Sequence, residues 1–145
     1  MKRETQWTDE NLARDWIRRF SSARRRIVSV ESADVEVEAS KRVDSETFWA
    51  FDVFHDLETR DPAHAWALVL LILRLAPDDD GVRDSLAAGP LEGLLANHGR
   101  TVIKWVEDEA RRNSEFKELL AGVWNTGINE LIWQRVERAR DRQDT

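Results

Sequence analysis

The sequence predicts an all-α protein of stacked helical hairpins, arranged as an orthogonal bundle or a short α-solenoid-like array. Three observations carry this. Asp61 to Gly99 reads as three consecutive helices, each with its own start and stop signal. Apolar residues elsewhere recur at i, i+3 and i+4. Short connections between such helices imply antiparallel neighbours. A chain of 145 residues suits a single domain, 1–145, with one sizeable core. No strict repeat supports the solenoid form.

Each element follows in order. Residues 1–26 form a basic N-terminal helix, with Thr8 as N-cap, Asp9 and Glu10 in the first turn, and an apolar stripe of Leu12, Trp16 and Phe20. Residues 27–44 alternate with period two at Ile27–Val30 and Val35–Glu38, which fits a small β-hairpin or an acidic linker. The linker is favoured, because an isolated hairpin is marginal in water. The helical body spans 45–140. Its first helix runs from Ser45, as N-cap, to Thr59, and apolar residues on more than one stripe predict a central, buried position. Asp61 and Pro62 then serve as N-cap and N1 of a helix reaching about Ala76. The turn Asp78–Gly81 leads into Val82–Ala88, Gly89-Pro90 separates this from Leu91–His98, and Gly99 closes that helix as its C′ residue. Further helices follow at Thr101–Arg112, Glu115–Ala121 behind Asn113, and Ile128–Arg140.

Composition narrows the function. The absence of cysteine excludes disulfides, thiolate metal sites and cysteine nucleophiles, and suits a reducing cytosol. Met1 to Gln6 lack the apolar run of a signal peptide, and the longest apolar run, Ala65–Leu73, is too short to span a membrane. A cytoplasmic protein without membrane contact is expected. Residues 1–30 hold eight Lys/Arg against four Asp/Glu, whereas residues 31–80 hold four against thirteen. This acidic middle argues against nucleic-acid binding by the body and favours a basic protein partner. Seven tryptophans without a tyrosine predict a Trp-rich core, with one or two rings left at the surface as contact points.

The residues Asp61-Pro62, Ala65-Trp66, Ala87-Ala88-Gly89-Pro90-Leu91-Glu92-Gly93-Leu94-Leu95, His98-Gly99, Phe116, Leu120 to Trp124 and Trp133 to Val136 resemble a family of uncharacterised bacterial helical domains of unknown function. The likeness covers roughly the last two thirds of the chain, and the Gly-Pro-Leu-Glu-x-Leu-Leu-x-x-His-Gly run is its specific part. It implies a small helical domain and carries no reaction, so no catalytic residue transfers.

Several residue groups are candidate sites. Glu92 at N3 can form a capping box with the Gly89 amide, and His98 can serve carbonyls in the last turn. Read functionally, the two would line a groove with Trp66 or Trp124. Asp52, His55 and Asp56, with Asp61 and His64 near in sequence, have a spacing that can bind a metal, but they match no known ligand pattern and more simply form a solvated helix face. Arg60 and His64 are too close, and split by Pro62, for a ribonuclease-like arginine–histidine motif. Arg24, Arg25 and Arg26 are a basic cluster for a phosphate or an acidic partner, or else a solvated helix end. Asp78, Asp79 and Asp80 lack the spacing of a calcium loop, and serve as turn and helix-start residues or as an acidic contact patch. No catalytic residue, metal site or cofactor is assigned.

The expected function is a non-catalytic protein-interaction domain of immunity, inhibitor or adaptor type, binding a basic partner through an acidic helical surface. The alternatives are an enzyme or small-ligand binder using an inter-helix cleft with His98, Glu92, His55 or His64, and nucleic-acid contact through the arginine cluster.

Overall fold

A computed structural model describes residues 7–25 and 33–141, with backbone alone at 24, 25 and 33–36. Helix α1 is Asp9–Phe20, followed by a 3-10 turn at Ser22–Arg25. Then come α2 (Ala33–Arg60), α3 (Pro62–Leu75) and α4 (Asp80–Leu86). A π turn at Ala87–Leu91 joins α4 to α5 (Glu92–Arg112), and α6 (Ser114–Leu120) and α7 (Glu130–Asp141) complete the chain. The described residues contain no strand, and the fold is all-α.

The helix starts are built as expected from short polar side chains. Thr8 Oγ1 accepts from the Asn11 N–H at 3.1 Å, Asp61 Oδ1 from His64 at 3.2 Å, and Asn113 Oδ1 from Glu115 and Phe116 at 3.1 and 3.2 Å. Each satisfies an amide that its helix leaves unpaired. Pro62 stands in the first turn of α3, where its missing N–H costs nothing. Asp79 caps α4 through Val82 and also ties down the end of α1, accepting from the Ser22 N–H at 2.8 Å and the Ser21 hydroxyl at 2.5 Å. Burial pushes its carboxyl up, but these hydrogen bonds outweigh it and hold the group at about 2.

The structure corrects four readings. Residues 33–44 are neither hairpin nor linker: they are the first turns of α2, so Ser45 is a mid-helix residue. The period-two spacing does not make a strand: Val37 stands exposed on α2, and α2 is fastened to α1 farther along, where Arg18 of α1 binds Glu46 of α2 at 2.9 Å. The 27–32 part of that reading lies outside the described residues. The N-terminal helix ends at Phe20 instead of reaching residue 26. The body of α2 is only partly buried: Phe54 and Leu57 enter the core, whereas Phe48 and Phe51 stand on the surface. Finally, Gly89-Pro90 and Gly99 do not end helices. The backbone runs on through the π turn, and at His98 (φ −135°, ψ 38°) it kinks within α5. The described glycine with positive φ is Gly127, at 133°, in the loop before α7. Gly99 is small because a Cβ there would press to 3.1 Å from Ile132 of α7.

Helix α3 is the spine, with Ala65, Leu68, Val69, Ile72 and Leu73 buried, so the longest apolar run is a core helix. Contacts join α1 to α4, α2 to α5 and α3 to α6, besides sequence neighbours. A solenoid contacts only its neighbours, so these pairs make a bundle. Trp16 is in the core, Trp7, Trp49, Trp66, Trp105 and Trp133 pack against it, and Trp124 is 73% exposed.

Gly81 marks the closest approach of α4 to the end of α1, since a Cβ there would run into the Phe20 carbonyl and come within 2.7 Å of the Ser22 nitrogen. Gly81→Ala is therefore expected to cost about 1–3 kcal/mol, the usual range for overpacking. Gly89→Ala, with open space around it, is expected to be neutral or stabilising by up to about 1 kcal/mol. Urea denaturation of both variants checks this; equal effects would contradict it.

Candidate functional site

The residues Gly89 to Gly93 build one side of a groove. Pro90 has no N–H to give and its ring crowds the carbonyl four residues back, so an α-helix cannot pass through it unchanged. The chain widens instead: the Glu92 N–H donates to the Ala87 carbonyl, five residues back. Single π turns inside helices are frequent at functional sites. This turn and the start of α5 form one wall, Trp16 and Phe20 of α1 a second, and Phe51, His55 and Glu58 of α2 a third. The enclosed space is about 510 Å³.

Glu58 lies at the α2 side of this groove with its side chain only 7% exposed. It is opposite Gly93, where any Cβ would collide with the Glu58 Oε1 atom. The glycine is thus the slot that holds the carboxyl. Thr47 and Glu109, the other buried polar residues, are hydrogen-bonded: the Thr47 hydroxyl donates to the Val43 carbonyl at 2.6 Å, and Glu109 accepts from Arg112 and Asn113 at 3.0 and 2.9 Å. No side-chain nitrogen or oxygen among the described residues is both fully buried and unpartnered, so the Glu58 oxygens open on the groove. Glu58 takes no hydrogen bond from a described residue. The nearest opposing group is His55, whose Nδ1 is 3.8 Å away on a ring that is 71% exposed. Burial without a donor disfavours the charged form, and the carboxyl is pushed up to about 7.

The residues singled out from sequence are dispersed. Glu92 lines the groove, but its carboxylate accepts from the Trp124 N–H at 3.1 Å and the Thr126 hydroxyl at 2.6 Å, and so fastens the 123–126 loop to α5. The capping box is corrected accordingly: with no helix start at Gly89, there is no free N-cap amide to serve. His98 Nε2 lies 2.9 Å from the Thr59 carbonyl, so it serves the end of α2 and not its own helix. Trp66 packs edge-on to Phe116 at 5.3 Å and near Trp105, away from the groove. Trp124 projects beside the Thr126 end. His64 binds Asp9 at 2.7 Å, and Asp56 binds Arg60 at 2.5 Å. Asp52, His55 and Asp56 converge on no metal geometry, nor does any other trio among the described residues. Asp78 and Asp80 are exposed, while Asp79 is consumed by its cap. The side chains of Arg24, Arg25 and Arg26 lie outside what the structure describes.

A larger polar cleft of about 750 Å³ lies between α5 and α7. Within it Arg135 grips Glu107 through two bonds of 2.8 and 2.6 Å, and these hold that carboxylate below its usual range.

Residues 37–144 match a family described as Family of unknown function (DUF6869). The chain belongs to this family. DUF6869 thus covers α2 from Val37 onward and all of α3 to α7, including the π turn, Gly93 and Glu58. No curated protein and no solved structure matches the chain.

Glu58 escaped the sequence reading because it sat within a long acidic segment. Its position carried a signal, however: it falls four residues after the buried Phe54 and next to the buried Leu57, on the inward face of α2.

The folded-state value near 7 lies above the ordinary 4.5, so the native chain holds a proton that the unfolded chain releases first. The destabilisation is absent below the unfolded value, grows as pH rises, and is complete above about 7. Glu58→Gln should therefore gain up to about 2–3 kcal/mol on the wild type between acid and mildly alkaline pH. Urea midpoints at pH 4.5 and 8 test this; a difference that does not change with pH would contradict it.

Proposed function

We propose that this chain is a non-catalytic, cytoplasmic protein-binding domain whose recognition surface is the groove between α2 and the π turn. The observation that carries the reading is Glu58, a largely buried carboxyl that takes no hydrogen bond from a described residue and opens on an otherwise largely apolar groove. Unpartnered buried charge is costly, and a ligand that supplies the missing donor recovers that cost on binding. Exposed aromatic residues flank the site: Phe48 and Phe51 on α2, and Trp124 beyond Thr126. Exposed aromatics beside a concave, largely apolar site are a frequent composition for interface anchors. The net charge of −6 favours a basic partner.

Catalysis is the second reading, favoured by a carboxyl that titrates near neutrality inside a cleft. Binding ranks above it because no second reactive group stands ready. His55 is 3.8 Å away and mostly solvated, and Glu92 is committed to its loop.

The test is affinity capture of the tagged chain from its source cells at low and high salt. The wild type is compared with Ala96→Arg, which places a long side chain on the groove wall, and with Asp78→Lys/Asp80→Lys. One stoichiometric partner, released by salt and lost with Ala96→Arg alone, is expected. Retention of that partner by Ala96→Arg would contradict the reading, and loss with the Asp variant alone would move the interface to the acidic turn. Circular dichroism controls for folding.

A further inference from the structure

We propose that the groove beside Glu58 receives the guanidinium of an arginine side chain presented by a basic protein partner. This rests on the reading of the groove as the recognition surface, and it names the chemistry of the occupant.

The site's demand is specific. Glu58 is held in the Gly93 slot without a hydrogen bond from a described residue, so its oxygens have acceptor capacity to fill. The groove's lining contains no lysine or arginine. The other titratable groups facing it are His55 on α2 and Glu92 on α5; the α1 wall presents Trp16 and Phe20, and the π turn presents no charge. Arg19 stands over the Phe20 and Phe51 rings but neither pairs with nor lowers the Glu58 carboxyl, so a cation for Glu58 comes from outside. Ser85 and Asn97 line the same space and offer oxygen acceptors for N–H groups that the carboxylate does not take.

The shape of the donor selects guanidinium over ammonium. A guanidinium is planar and weakly hydrated, and it stacks on aromatic faces, whereas an ammonium is a compact and strongly hydrated point charge. The rings of this site are shared with the chain's own groups: the Arg19 guanidinium lies 5.8 Å from the Phe20 ring centre and 5.4 Å from that of Phe51, and His55 stacks on Phe51 at 6.0 Å. Both rings also line the groove. A forked donor further suits a carboxylate with both oxygens unengaged.

The full-length chain, labelled with ¹⁵N, is titrated with a capped Gly-Ser-Arg-Ser-Gly peptide, with its lysine counterpart, and with one carrying citrulline, the neutral isostere of arginine. At pH 8 the arginine peptide should shift the Phe51, His55 and Ala96 amides and bind at least tenfold more tightly than the citrulline peptide. That preference should shrink at pH 6, in the wild type and in His55→Gln alike. It should vanish in Glu58→Gln and in Gly93→Ala, which displaces the carboxyl from its slot without removing it. Citrulline or lysine binding as tightly as arginine, an unchanged preference in Glu58→Gln, or no shift at the groove would overturn the proposal. The captured partner separates the two readings: loss with Ala96→Arg but retention by Glu58→Gln leaves the groove as the interface and removes the cation, whereas retention by both removes the two together.

Discussion

Pro90 is the constraint on which the rest of this structure depends. A proline in the middle of a continuous helical path cannot donate its backbone bond and crowds the turn before it. The chain answers with a π turn over Ala87–Leu91 and not with a break, so α4 and α5 remain one path. The extra residue in that turn sets the face on which α5 emerges. With that phase, Gly93 sits beneath α2 at the position of Glu58, and Leu94 and Leu95 enter the core. Glu92 points outward to hold the 123–126 loop. The groove follows from a local backbone problem and the way it is solved.

Around that turn, the polar side chains divide into those that close the fold and one that does not. Asp79 fastens the end of α1 to the start of α4, Glu92 fastens a loop to α5, and His98 reaches the last turn of α2. Glu107 joins α5 to α7 through Arg135. Each accepts or donates bonds that join separate parts of the chain. Glu58 is more buried than any of these yet joins nothing by hydrogen bond, and the residue opposite it is the glycine that makes room for its carboxyl. Holding such a group largely out of water costs stability, and the groove proposed as a recognition surface is where its oxygens remain open.

Much of the fold was legible because it is written in local chemistry. Thr8, Asp61-Pro62 and Asn113 announce helix starts by bonds made within three residues, and the apolar run Ala65–Leu73 announces a core helix. Where the outcome depends on distant packing, local reading fails. Val35 and Val37 have strand-like spacing, but they belong to a helix laid along α1. Gly89-Pro90 looks like a stop, and only the observed path shows the π turn that carries the helix onward. The same holds for the site. Glu92 was found but given the wrong partner, because its true partners lie 32 and 34 residues away. Glu58 went unnoticed, because its meaning comes from Gly93 on another helix. Membership of DUF6869 extends this architecture to a family while leaving chemistry to be read from the groove itself.

The most direct measurement is a ¹³C NMR titration of the glutamate side-chain carboxyls, with the Glu58 signal assigned by comparison with Glu58→Gln. A midpoint near 7, well separated from the other glutamates, is predicted for a largely buried carboxyl held against Gly93 without a donor. A midpoint near the ordinary 4.5 would mean that water or a neighbouring group already satisfies Glu58. The groove would then have no unmet demand, and the account of its function would fall.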